Sequence, residues 1–319
     1  QRPQVQAMPH ETGPPGAARA QPGQLTGPTM LQIGDIQVHL IQESHYLVDP
    51  GGPFGLVPRA LWSRHMTPTD DLLVPMTSNC LLLQTAGRNI VIDSGYGHRL
   101  PEKVQRQLQL TRPFGDLCGG LARLGLAPGD VDLVINTHLH ADHCAGNTRI
   151  AENGEVVAVF PNAEYVVQRR EYEDACRPNE RTRATYVADN FEPLRVSGQL
   201  RLLDGDCDLA PGLRGVVTPG HTPGHMSVMM ESGGQVGMQL ADMATYALHF
   251  ERLGWMTAYD VEPLITLETK RRWQAWALER EALLFFPHDP QRPAGRLQQV
   301  DAGRLKVEAP AFEPVQGIG

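Results

Sequence analysis

Cysteine is scarce in this chain: Cys80, Cys118, Cys144, Cys176 and Cys207 are the five in 319 residues, with no Cys-x-x-Cys pair. An odd set of this kind fits free thiols in a reducing, cytoplasmic setting better than a disulfide framework. It also argues against a thiolate-rich structural zinc site. Positive charge is short as well, with 28 Lys and Arg against 36 Asp and Glu and a formal net charge of -8. Nucleic acids and anionic membranes are held by clustered Lys and Arg, so neither is expected as a partner. No apolar run approaches the ~18 residues that span a bilayer. Heptads and short-period repeats are missing too, which removes coiled coils and solenoids.

What is present begins with a 41% hydrophobic content, enough for a sizeable core. Residues 1–29 stand apart, because Pro, Gly and Gln fill fifteen of these 29 positions without apolar periodicity. They read as a disordered leader. Residues 30–319 read as a single domain. Strands are expected at Ile33 to Ile41, Cys80 to Gln84, Asn89 to Asp93, Ala163 to Val167, Leu200 to Leu203, Gly215 to Val217, Met226 to Met230, Val236 to Leu240 and Leu283 to Phe286. Helical spacing appears near 101–109, 115–124, 170–176 and 264–283. Strands interspersed with helices through both halves indicate an α/β fold.

The densest chemistry lies at His138-Leu139-His140-Ala141-Asp142-His143, directly after the apolar run Val131-Asp132-Leu133-Val134-Ile135. Three imidazoles and a carboxylate within six positions at a strand end read as a metal-ligand cluster. Cys144 adjoins it and reads as an inert neighbour. Three more strands end in a ligand type: His221 after Val216-Val217, Asp242 after Gln239-Leu240, and His288 after Phe285-Phe286. Five His and two Asp suffice for two divalent ions. The assignment is His138, His140 and His221 on one ion, Asp142, His143 and His288 on the other, and Asp242 between them. All-nitrogen-and-oxygen ligation suits Zn first, with Fe, Co or Mn also compatible. His225 reads as a packing or turn residue. Asp93, in Val91-Ile92-Asp93-Ser94-Gly95, reads as a carboxylate that orients a metal-bound imidazole.

In this order, these segments resemble the metallo-β-lactamase superfamily. The resemblance spans residues 31 to about 295 and implies a four-layer αββα sandwich with a dinuclear site at one edge. Within the superfamily the chain is similar to the YtnP-type quorum-quenching lactonases, through Phe54-Gly55-Leu56-Val57-Pro58-Arg59-Ala60-Leu61-Trp62-Ser63, Phe160-Pro161-Asn162-Ala163, Asn179 to Tyr186, and Ala258-Tyr259-Asp260. One position departs. Acyl-homoserine lactonases place a Tyr three residues after the bridging Asp, where this chain has Thr245. Tyr246 or His249 would then take that role.

The activity implied is hydrolytic opening of a lactone ring, an N-acyl-homoserine lactone first, with Asp142 passing a proton to the leaving alkoxide. Phe54, Leu56, Val57, Trp62, Met243 and Trp255 are expected to form an apolar groove for the acyl chain. The partner is therefore a small molecule, and a homodimer is compatible with the sequence. Phosphotriesters, thioesters and β-lactams are rival substrates. A mononuclear iron dioxygenase acting on persulfides is the rival of another class, and it has no need of His288.

Overall fold

The computed structural model describes residues 30–315. The leader expected over residues 1–29 lies outside the described residues.

Two seven-stranded sheets carry the fold. The first runs Leu31–Ile33, Ile36–Val48, Val74–Thr85, Arg88–Ile92, Leu133–Ile135, Glu164–Gln168 and Leu200–Leu203. Its first four strands are antiparallel neighbours and its last four are parallel. The second runs Cys207–Ala210, Leu213–Val217, Met226–Ser232, Gln235–Gln239, Leu283–Phe285, Ala294–Gln299 and Leu305–Glu308.

Both faces of the central strands are buried, so these strands read as continuous apolar runs rather than alternating ones. Leu81, Leu83, Ile90, Ile92, Leu133 and Ile135 meet Met226, Val228, Met230, Leu283 and Phe285 in a core between the sheets. The alternate residues Cys80, Leu82, Val91 and Val134 face outward against Leu117, Leu121 and Leu194, which lie on helices. On the far side, Met238, Leu284 and Phe286 pack under Trp273 and Ala277 of the helix Pro263–Glu279. The layers are therefore helix, sheet, sheet, helix, the αββα sandwich.

Several elements differ from expectation. The strand expected at Ile33 to Ile41 breaks at Gly34, whose φ is +57°, and its second part continues to Val48. A Cβ at Gly34 would lie 2.3 Å from the Ser232 carbonyl oxygen, so glycine is required for this turn. The Pro/Gly-rich segment after residue 50 holds two short helices, Gly51–Phe54 and Arg59–Trp62. Cys207–Ala210, Ala294–Gln299 and Leu305–Glu308 were not expected as strands; they lie toward the margins of the second sheet, where polar residues interrupt the pattern.

Among the described residues, no helix is long and apolar enough to cross a membrane. All five cysteines are free thiols.

Candidate metal centre

Parallel pairing aligns strand ends, and here it aligns candidate ligands. Gln239 pairs with Phe285, and Asp242 and His288 each lie three residues further along. Ile92 pairs with Ile135, which sets Asp93 beside the start of the segment leading to His138. The two sheets are stitched together at this edge: Met226 N donates to Thr137 O at 2.9 Å and Asn79 N to Pro287 O at 2.8 Å. Backbone strain concentrates here as well. Asp93 and Ala241 both hold left-handed φ, +56° and +48°, a cost found where surrounding packing dictates the geometry.

The side chains gather into two sets. Ligand atoms of His138, His140, His221 and Asp242 lie within 4.8 Å of one another, and those of Asp142, His143 and His288 do the same. Asp242 joins the sets: one oxygen lies 3.2 Å from His221 Nε2 and 3.6 Å from His143 Nε2, the other 3.2 Å from His288 Nε2.

The outer hydrogen bonds fix which ring nitrogens face inward. His288 Nδ1 lies 2.8 Å from Thr77 O, a pure acceptor, so this nitrogen carries the hydrogen. His143 Nδ1 faces Asp93 at 2.9 Å and His221 Nδ1 faces Asp260 at 2.9 Å. In the neutral rings, each Nε2 therefore presents a lone pair to the interior. His143 Nε2 and His288 Nε2 point at each other across 3.0 Å, and His138 Nε2 is buried without any hydrogen-bond partner. Lone pairs converging in a dry site repel unless cations sit among them, so the donor set fits divalent metal ions.

Electrostatics agree. Burial, reinforced by neighbouring imidazoles, holds His138 and His140 well below the usual histidine range. At His143 burial opposes charge, but Asp242, Asp93 and Asp142 outweigh it and raise the pKa well above the ordinary value. The carboxylates that favour a proton on His143 favour a cation there for the same Coulombic reason. Against its own burial, Asp242 is held well below the carboxylate range by His288, His221 and His143.

Other expected site residues lie elsewhere. Tyr246 is fully buried and donates its hydroxyl to Pro75 O at 3.0 Å. Phe54 stacks on Trp62 with centroids 5.1 Å apart, and both are core residues rather than groove residues. The short helices that follow residue 50 turn these rings inward. Met243 packs in the core outside the second sheet, where the turn Ala241–Ala244 places it. His249 is buried against Phe54 and Tyr246, and burial lowers its pKa to about 3. Leu56, Val57 and Trp255 do line an open cavity of about 560 Å³, together with Leu61, Met256 and Asp260. His225, read as a turn residue, has its Nδ1 3.0 Å from Thr218 O.

Three contributors escaped the sequence reading. Asp260 holds His221, Tyr46 brings its hydroxyl within 2.9 Å of His288 Nδ1, and Glu171 is buried behind the His138–His140 loop. For Asp260, its place in Ala258-Tyr259-Asp260 was a signal. For the other two, no local pattern marks them.

The sequence profile of the metallo-beta-lactamase superfamily matches residues 73–289. The chain belongs to that superfamily, and by class it is a metal-dependent hydrolase. An N-acyl homoserine lactonase from Bacillus sp is 28% identical over 244 residues, covering 72% of this chain and 87% of that one. The structure of a probable metal-dependent hydrolase from Staphylococcus aureus superposes with a TM-score of 0.80 at 30% identity, covering 89% of this chain and 99% of that one. AidC, a dizinc quorum-quenching lactonase solved with its product, has a TM-score of 0.73 at 20% identity, covering 91% and 99%, a likeness in fold.

Proposed function

We propose that this enzyme opens the ring ester of a lactone, an N-acyl-homoserine lactone first, at a centre of two divalent cations, zinc foremost. The observation that carries the reading is Asp242 lying between two ligand sets whose free nitrogens converge. Lactonases among the relatives support the substrate class.

His138, His140 and His221 would hold one ion, Asp142, His143 and His288 the other, and Asp242 both. Ions bound there supply a nucleophilic hydroxide near neutral pH and electrophilic pull on an ester carbonyl. Asp93 and Asp260 keep His143 and His221 turned inward. Asp142 is the most exposed member of the two sets, with 23% of its side chain accessible. In this reading it takes the proton released by the attacking water and hands it to the departing alkoxide. Leu56, Val57 and Trp255 offer apolar surface for an acyl chain in the cavity that also touches Asp260.

The test is a substrate panel on zinc-loaded protein: short- and long-chain acyl lactones, a phosphotriester, a thioester and nitrocefin. Lactone opening, giving a product heavier by one water, should dominate. Lactone turnover at the buffer rate, with another substrate running fast, would overturn the reading.

A further inference from the structure

Glu171 lies on the helix Arg169–Cys176 with 0% of its surface exposed. Burial pushes its carboxyl pKa up against the pull of three hydrogen bonds, and it persists in a place that is costly for a carboxylate. Its three hydrogen-bond donors explain the location. Oε1 accepts from Leu139 N at 3.0 Å and from Tyr186 Oη at 3.0 Å, while Oε2 accepts from Thr222 Oγ1 at 2.5 Å.

Each donor adjoins a ligand of the first set. Leu139 stands between His138 and His140, and Thr222 follows His221. Tyr186 pairs its backbone with His140 and sets its ring 5.1 Å from that imidazole. The loops belong to different sheets: His138–His140 follows Leu133–Ile135 of the first, and His221 follows Leu213–Val217 of the second. Gly224 permits the close approach, since a Cβ there would lie 2.3 Å from Glu171 N.

We infer that Glu171 is the positioning residue of the first metal-ligand set, a buried carboxylate that clamps together the loops delivering His138, His140 and His221. It rests on the metal-centre reading above. It does for the backbones of this set what Asp93 does for the ring of His143: it fixes direction before the metal arrives. Pre-set ligands bind a metal without paying the ordering entropy at that moment.

The test measures zinc affinity by chelator competition in a His288→Ala background, where the first set alone is complete. Glu171→Ala should weaken binding by ~10- to 100-fold, as loss of an outer-sphere partner does. Glu171→Gln should recover most of it, because an amide oxygen still accepts from Leu139 N and Tyr186 Oη while Thr222 can accept from the new N–H. Melting of the metal-free proteins is recorded alongside. Should Glu171→Ala fail to fold, Thr222→Val and Tyr186→Phe each remove one contact and should weaken zinc binding by smaller steps. Unchanged zinc affinity in folded Glu171→Ala, or in both single-contact variants, overturns the inference while leaving the metal centre intact. A parent protein that takes up no zinc overturns the metal centre itself, and the inference with it.

Discussion

His143 and His288 face each other with their Nε2 atoms 3.0 Å apart, while each Nδ1 is turned outward, onto Asp93 at 2.9 Å and the Thr77 carbonyl at 2.8 Å. The pair joins sequence positions 145 residues apart and ligands from both sheets. In the proposed centre this pair belongs to the second ion.

His288→Ala is therefore expected to lower bound metal from two ions per chain to one. Turnover should fall by more than the ~100-fold that loss of an outer partner can cost. Metal analysis of desalted protein and steady-state rates check both. Retained activity with one ion would instead favour mononuclear chemistry.

Asp93→Asn isolates the carboxylate from the backbone. Asn tolerates the left-handed φ that Asp93 holds, so the turn should survive. The substitution removes the charge that accepts from His143 Nδ1, Thr137 N and Thr137 Oγ1. Metal affinity should drop ~10- to 100-fold, measured by competition with a chelator, while the melting temperature of the metal-free protein changes little.

Tyr246→Phe separates packing from catalysis. Its hydroxyl is donated to Pro75 O, so its loss should leave turnover within about twofold and cost ~1 kcal/mol of stability. Urea unfolding and lactone kinetics on one preparation decide this. A large fall in kcat would instead assign Tyr246 to the reacting centre.

Lys270 sets a pH dependence of stability. It is 1% exposed, donates to Trp255 O at 2.6 Å and to His249 O at 3.3 Å, and burial lowers its pKa from 10.5 to about 8. Between those values the unfolded chain holds one proton more than the folded one, so stability rises with pH over that window. The rise is about 3 kcal/mol at most. Below about pH 8 the lysine is charged in both states and contributes no slope. Wild type should gain on Lys270→Met from pH 8 to 10 in urea unfolding, and a constant difference would contradict the assignment.

The candidate ligands were legible because doubly buried strands leave apolar runs, and a His or Asp just past such a run stands out. Asp242 and His288 could be placed by that rule alone, and pairing of Gln239 with Phe285 is the physical reason it works. Glu171 was hidden for the opposite reason: in Arg169-Arg170-Glu171-Tyr172-Glu173-Asp174 it looks like one more residue of a solvated helix. Phe54 and Trp62 misled because aromatic residues in a Pro/Gly-rich segment suggest a binding loop. Two helices of four residues each fold them into the core instead. Long-range hydrogen bonds such as that from His221 to Asp260 leave no periodic trace in a sequence.

The most direct measurement of the central claim is a zinc titration of the metal-free protein while ring opening of an N-acyl-homoserine lactone is followed. The rate should rise with added zinc and level off at two equivalents per chain. A plateau at one equivalent, or no lactone opening at any loading, would contradict a dinuclear lactonase.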